Sequence, residues 1–226
     1  MPSVLFATKC WEGDWLKMAS GGFKRKVDSL QYPFDATLLV INNVKDEEAV
    51  KNSLEGVSTY LLSVSEALQG ILSSFNLKET DFIEPKTGVN GFLYAIGELA
   101  AVYGSKGYDY LCYLQGDCLL HPSTNFVEEA IAILDKNPNI AIVSPYSEVN
   151  TWADDKDLDQ KCSDQCFVVR VNEFLSPIYS YMEPYQPEYP EYGGRSFEYM
   201  VGQYLINTNR WRMILRNHYV LHPTYD

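Results

Sequence analysis

Residues Tyr110–Pro122 read Tyr-Leu-Cys-Tyr-Leu-Gln-Gly-Asp-Cys-Leu-Leu-His-Pro. The run Tyr110–Leu114 is apolar almost throughout, too short for a helix and of the right length for a buried strand. Gly107 stands before it, and Gly116 and Pro122 stand after it, the punctuation expected where a strand enters and leaves a sheet. A carboxylate, Asp117, follows the point where that strand must end. In an open α/β sheet, ligands bind beyond the carboxyl ends of the strands. An acid at this position is therefore either functional or a turn former after Gly116.

Outward from this stretch, strand and helix patterns alternate. Ser3–Ala7 and Ala36–Ile41 are short apolar runs that predict buried strands, the second closed by Asn42-Asn43. Between them Trp15, Met18, Phe23 and Val27 recur at loose helical spacing, with a break expected at Gly21-Gly22. Glu47–Leu54 and Ser65–Phe75 read as helices, Thr59–Val64 as a strand, and Lys78–Thr87 as a loop. Phe92, Ala95, Ile96, Leu99, Ala100 and Val102 form a helical stripe immediately before the Tyr110 strand. Thr124–Leu134 predicts a helix and Ile140–Ser144 another buried strand. Strands alternating with helices predict an α/β fold, a mostly parallel sheet with helices on both faces.

The order of these pieces resembles the GT-A-fold glycosyltransferases. The residues that carry the resemblance are Ala-Thr-Lys closing the first strand, Val-Ile-Asn-Asn closing the second, and Asn90-Gly91 opening the long helix. Gln115-Gly116-Asp117 stands where the family's DxD motif stands, and Asn-Pro-Asn-Ile-Ala-Ile-Val-Ser-Pro follows. The resemblance covers Ser3–Ser147 well and the remainder loosely. It implies a single Rossmann-like GT-A domain over 1–226, with residues 1–147 binding a nucleotide-diphosphate sugar and 148–226 binding the acceptor. It also implies a divalent cation, Mn²⁺ or Mg²⁺, with Asp117 and the late histidine His222 as its ligands and His218 as the alternative to His222. Gln115 occupies the place of the motif's first acid and carries over as a sugar or ribose contact. Thr8, Asn43, Asn90 and Arg212 are implied as nucleotide-binding residues.

Composition restricts the alternatives. The 226 residues suffice for a full core, and a net charge of −12 argues against a nucleic-acid or anionic-membrane surface. No apolar segment approaches a membrane span and the start lacks signal-peptide architecture, so a cytoplasmic protein is expected. The five cysteines form neither a disulfide scaffold nor a zinc-site spacing; Cys10, Cys112 and Cys118 are expected to be buried. No Gly-rich, basic loop follows the first strand, which counts against a nucleotidyltransferase.

After Pro145 the composition changes. Glu148–Gln165 is acidic and apolar-poor and predicts a mobile loop; Gln165–Val171 predicts a strand. Tyrosines and prolines alternate through 172–195, which excludes a long helix there. Ser196-Phe197-Glu198 then opens a helix, in which Glu198 either complements the helix dipole or acts chemically. Inverting GT-A enzymes place an acid at this point, so the resemblance implies Glu198 as the general base that deprotonates an acceptor hydroxyl. Arg210, Arg212 and Arg216 are either a solvated helix face or a clamp for the leaving diphosphate. The leading expectation is a metal-assisted, inverting glycosyltransferase. The alternative, favoured by the amide at Gln115, is a non-catalytic binding or scaffold protein of the same fold.

Overall fold

The computed structural model describes residues 2–54, 56–61, 65–82, 92–121, 124–147, 157–175 and 197–221. The strands are β1 (Val4–Cys10), β2 (Ala36–Ile41), β3 (Ser58–Leu61), β4 (Tyr110–Leu114), β5 (Leu119–Leu120), β6 (Ile140–Ser147), β7 (Leu158–Asp159), β8 (Cys166–Arg170) and β9 (Trp211–Leu221). The helices are α1 (Trp15–Lys17), α2 (Phe23–Ser29), α3 (Glu47–Ser53), α4 (Ser65–Ser74), α5 (Phe92–Gly104), α6 (Phe126–Lys136), α7 (Val171–Phe174) and α8 (Phe197–Thr208). All described strands join one sheet in the order β3-β2-β1-β4-β8-β6-β9-β5, with β7 also paired to β9.

The pairs β1·β2, β2·β3, β1·β4 and β6·β9 are parallel. β8 enters the middle of the sheet antiparallel to both β4 and β6. Alternate residues of each central strand feed two cores. Leu5, Ala7, Leu111, Tyr113, Phe167 and Val169 pack beneath α4, α5 and α8, while Val4, Phe6, Cys112, Leu114 and Val168 pack against α2 and α6. Burial on both faces explains why these strands read as unbroken apolar runs. The expected α/β class, mostly parallel with helices on both faces, is the one observed.

Two expectations need correction. The acidic stretch 148–165 reads as a mobile loop, but its described part, 157–165, is tied into the fold. Leu158–Asp159 pairs with β9, and Ser163 and Gln165 are buried. The arginine run is not a helix face. α8 ends at Thr208, and Arg212 and Arg216 lie on β9, where each pairs with an aspartate of 157–159.

The predicted break at Gly21-Gly22 is present. Met18–Gly22 forms one wide turn in which Gly21 has φ +100°, a conformation that L side chains rarely adopt. The turn redirects the chain so that α2 delivers Lys26 beneath the end of β4.

Candidate active site at the carboxyl ends of the strands

β4 ends at Leu114, and the next residues make a tight turn in which the Cys118 amide donates to the Gln115 carbonyl at 3.0 Å. The turn is pressed against the end of β1. A Cβ at Gly116 would collide with the Lys9 carbonyl and come within 2.8 Å of Asp14 Oδ2, so only glycine fits. From below, Lys26 Nζ donates to the Gln115 carbonyl at 3.0 Å and to the Cys118 carbonyl. Burial lowers the Lys26 pKa to about 8, against the opposing pull of Asp117 and Asp14. Asp14 caps the β1 loop, its Oδ1 accepting from the Trp11 amide at 2.8 Å. Burial raises its pKa to about 6, and the neighbouring Asp117 adds to the shift.

This donor set suits a hard cation. Asp117 supplies a carboxylate, and Asp14 Oδ2 flanks the glycine of the same turn, close packing that the missing Cβ at Gly116 permits. Among the described residues no three His, Cys, Asp or Glu side chains converge as a ready cation site. A cation here would draw further oxygens from a bound diphosphate or a ligand from the undescribed residues.

Beside the turn lies a group of screened carboxyls. α8 begins at Phe197, so Glu198 sits in its first turn, and the Asp164 amide donates to Glu198 Oε1 at 3.0 Å. Glu98, from the middle of α5, is fully buried. Its Oε1 accepts from Lys9 Nζ at 2.5 Å and from the Tyr113 hydroxyl at 2.8 Å. Burial opposes the charge on Lys9, but Glu98, Asp164 and Asp117 outweigh it and raise the Lys9 pKa. Glu198 is raised chiefly by burial, with Glu98 adding to it and Asp164 and Arg212 pulling it back.

The predicted site residues fall into three groups. Asp117, Gln115 and Glu198 lie at the carboxyl-end edge of the sheet, around Lys9, Asp14 and Asp164. Asn43 also ends a strand on this edge, exposed and with φ 54°, a left-handed conformation asparagine tolerates. Thr8 and Arg212 are buried in the fold. Thr8 Oγ1 has no hydrogen-bond partner among the described residues, and a nucleotide contact would require uncovering it. The Arg212 guanidinium binds Asp159 through Nε at 2.8 Å and Nη2 at 2.5 Å, which joins β7 to β9. Asn90 and His222 lie outside the described residues. β9 ends at Leu221 opposite Leu119, two residues beyond Asp117, so the strand carries the chain toward the turn. His218, the alternative to His222, is committed elsewhere. Its ring nitrogens contact Thr124 Oγ1 at 2.6 Å and Glu129 Oε2 at 2.8 Å.

Sequence reading missed Lys26, Asp14, Glu98 and Asp164. Glu98 carries a signal, a carboxylate inside an otherwise apolar helical stripe, whereas Lys26 follows Lys24 and Arg25 in its helix and nothing in the sequence marks it as the buried one. Asp14 and Asp164 stand in polar loops and carry none.

No family model matches the sequence, and no curated protein matches it either. Solved structures do match. Glucosyl-3-phosphoglycerate synthase from Mycobacterium tuberculosis in complex with Mn²⁺, UDP-glucose and phosphoglyceric acid superposes with TM-score 0.53 at 10% identity, covering 100% of this chain and 73% of that one. The same synthase with Mg²⁺ and UDP gives TM-score 0.54 at 10% identity over the same shares. A mycobacterial protein gives TM-score 0.51 at 8% identity, covering 100% of this chain and 68% of that one. At these identities the likeness is one of fold.

Proposed function

We propose that the protein is a glycosyltransferase that transfers a sugar from a nucleotide-diphosphate sugar to an acceptor hydroxyl, with a divalent cation and inversion at the anomeric carbon. The observation that supports it most is the convergence of Asp117, at the β4 turn, with the Asp164–Glu198 pair at the start of α8 on the carboxyl-end edge of the sheet. The structural neighbours bind UDP-glucose with Mn²⁺, and UDP with Mg²⁺, on the same fold.

In this reading, residues 1–147 bind the donor and 148–226 the acceptor. Asp117 and His222 hold Mn²⁺ or Mg²⁺, Asp14 completes the negative edge, and Asn43, Asn90 and Gln115 contact the nucleotide or its sugar, with Thr8 able to join them only once its buried hydroxyl is uncovered. The cation, when bound, offsets charge on the diphosphate leaving group. Lys9 lies on the same edge but is paired with Glu98, and Arg212 is paired with Asp159, so the charge of the diphosphate falls chiefly to the cation. Glu198 accepts the acceptor's hydroxyl proton, the acceptor oxygen bonds to the anomeric carbon, and the bond to the diphosphate breaks with its electrons leaving on oxygen. The Asp164 amide holds Glu198 Oε1 in place for this. Among the described residues no helix is long and apolar enough to cross a membrane.

The test pairs binding with turnover. UDP-glucose with Mn²⁺ at about 100 times its dissociation constant should stabilise the protein by roughly 2.7 kcal/mol. Asp117→Ala should abolish the Mn²⁺-dependent part. Glu198→Gln should keep donor binding and lower turnover roughly 10²–10⁴-fold. Donor binding without any transfer, in wild type and across acceptors, would favour the non-catalytic reading suggested by Gln115. No stabilisation by UDP-, GDP-, CDP- or dTDP-sugars would remove the nucleotide-sugar reading altogether.

A further inference from the structure

Lys26 is a buried cation whose neighbours in sequence, Lys24 and Arg25, are exposed. Phe23, Lys26 and Ser29 recur at the spacing of one helix face, and that face is turned into the fold. Phe23 meets Phe6 of β1 edge-on with ring centroids 5.8 Å apart, and the Ser29 carbonyl accepts from the Thr124 amide at 3.2 Å. These two anchors leave the Lys26 side chain beneath the turn that follows β4.

There its ammonium brackets Asp117. It donates to the Gln115 carbonyl at 3.0 Å and to the Cys118 carbonyl, on either side of Gly116-Asp117. The fold itself satisfies more of the turn's backbone. The Gln115 amide donates to the Gln165 carbonyl at 2.8 Å, and the Cys118 amide to the Gln115 carbonyl at 3.0 Å. Gly116 is pressed so closely on the Lys9 carbonyl that no Cβ fits. Asp117 stays half-buried while Cys118 is fully buried.

Backbone carbonyls beside a carboxylate are common ligands for a hard cation. Here two such carbonyls are already taken by an ammonium that belongs to the chain. A cation arriving at Asp117 therefore meets a turn that is closed before it binds.

We propose that Lys26 is a positioning residue that closes the 115–118 turn in the absence of a bound cation and so holds Asp117 in a fixed place for a divalent ion and its diphosphate. This rests on the reading of Asp117 as a cation ligand. Lys26 acts through the two carbonyls and needs no contact with the donor.

The experiment uses the full chain with Mg²⁺ or Mn²⁺ alone and no nucleotide sugar, so its outcome is separate from that of the donor-binding test. In the wild type, exchange of the Cys118 amide is followed by NMR with and without Mg²⁺. Protection without Mg²⁺ is expected. Exchange at the rate of an open chain, slowed only when Mg²⁺ is added, would overturn the proposal. Lys26→Ala is then compared with wild type for Mn²⁺ affinity, from the EPR signal of free Mn²⁺ at a temperature where the variant is folded. Affinity should fall roughly 10–100-fold, the usual effect of losing a group that holds a metal ligand from behind. Propylammonium, which replaces the missing methylenes and N–H donors, should restore it saturably. Tetramethylammonium, a cation without N–H donors, should not. A residue that merely stabilises the fold would lower the melting temperature and leave Mn²⁺ affinity in place. That result, or tighter Mn²⁺ binding from the lost charge, or recovery with tetramethylammonium, would equally overturn the proposal. Should Lys26→Ala fail to fold, Lys26→Met keeps the volume of the stem without the donors and should show the same loss of affinity. A wild type that binds neither ion removes Asp117 as a ligand and the proposal with it. If the wild type binds Mn²⁺ but no nucleotide sugar, the glycosyltransferase reading falls and Lys26 keeps its role.

Discussion

At the scale of single residues, the turn after β4 is held by charges that the protein hides from water. Lys26 is nearly fully buried and donates to two carbonyls of the turn. Lys26→Met removes the charge but strands both acceptors, and an unpaired buried polar group costs about 1–3 kcal/mol. Denaturant melting should show a loss of that order, and wild-type stability would mean that water takes over both carbonyls. Asp14 works in the opposite sense. Its folded pKa of about 6 lies above its ordinary 3.8, so between those values the folded chain holds a proton that the unfolded chain has released. The Asp14 contribution to stability is therefore full below that window and is lost as pH rises through it. Asp14→Asn keeps the acceptor for the Trp11 amide and removes the charge. It should be more stable than wild type by about 1–3 kcal/mol above pH 6, with the gap closing toward about pH 4. A gap that does not change with pH would show that burial of the charge is not what Asp14 costs. The same variant should weaken Mn²⁺ binding if Asp14 flanks the cation, and stability gained would be function lost.

At the scale of elements, local pattern was a sound guide wherever an element is buried in one uniform environment. β2 and β4 have the bounds that their apolar runs predict, Ala36–Ile41 and Tyr110–Leu114, because both faces of each are covered. α3 starts at Glu47, where the run Glu47–Leu54 predicts, and the preceding Asp46 caps it, its side chain accepting from the Ala49 amide at 3.0 Å. β9 was illegible for the converse reason. Arg212 and His218 interrupt its apolar run, and each is buried only because a distant acid pairs with it, Asp159 and Glu129. No period in the linear sequence encodes those pairs. The Gly21-Gly22 break was legible, and its purpose emerges from what it positions. A Cβ at Gly22 would strike the Lys17 carbonyl, and Gly21 has φ +100°. Gly21→Ala should cost about 1 kcal/mol or more by imposing a strained backbone. If the turn aims α2, Mn²⁺ binding should weaken along with stability. A stability loss with unchanged cation binding would make the kink a local feature only.

At the scale of the whole molecule, the candidate site is assembled from chain segments that are far apart in sequence. Lys9 and Glu98, 89 positions apart, meet at 2.5 Å, and Asp164 meets Glu198 across 34 positions. Sequence could place Asp117 and Glu198, since each ends or begins a legible element. It could not reveal that Glu98 leaves α5 toward Lys9, because that depends on how α5 lies across β1 and β4. This contact carries the last prediction. Lys9, Glu98 and Tyr113 tie β1, α5 and β4 together, and Glu98 Oε2 has no hydrogen-bond partner among the described residues. A network that is buried and incompletely satisfied is weak evidence for stability in itself. Breaking it from one side, however, leaves an uncompensated charge. Lys9→Met and Glu98→Leu should each cost about 3–5 kcal/mol. Combining them with Tyr113→Phe, which removes the last stranded hydroxyl, should recover most of that loss. If the triple variant is as unstable as the singles, the network supplies packing that the apolar trio cannot replace. If it is stable, its titration carries the functional information. Without Glu98 one of the acids near Glu198 is gone, so the Glu198 pKa should fall. A folded protein with a shifted Glu198 would mean that the network serves the carboxyl pair's chemistry and not the fold.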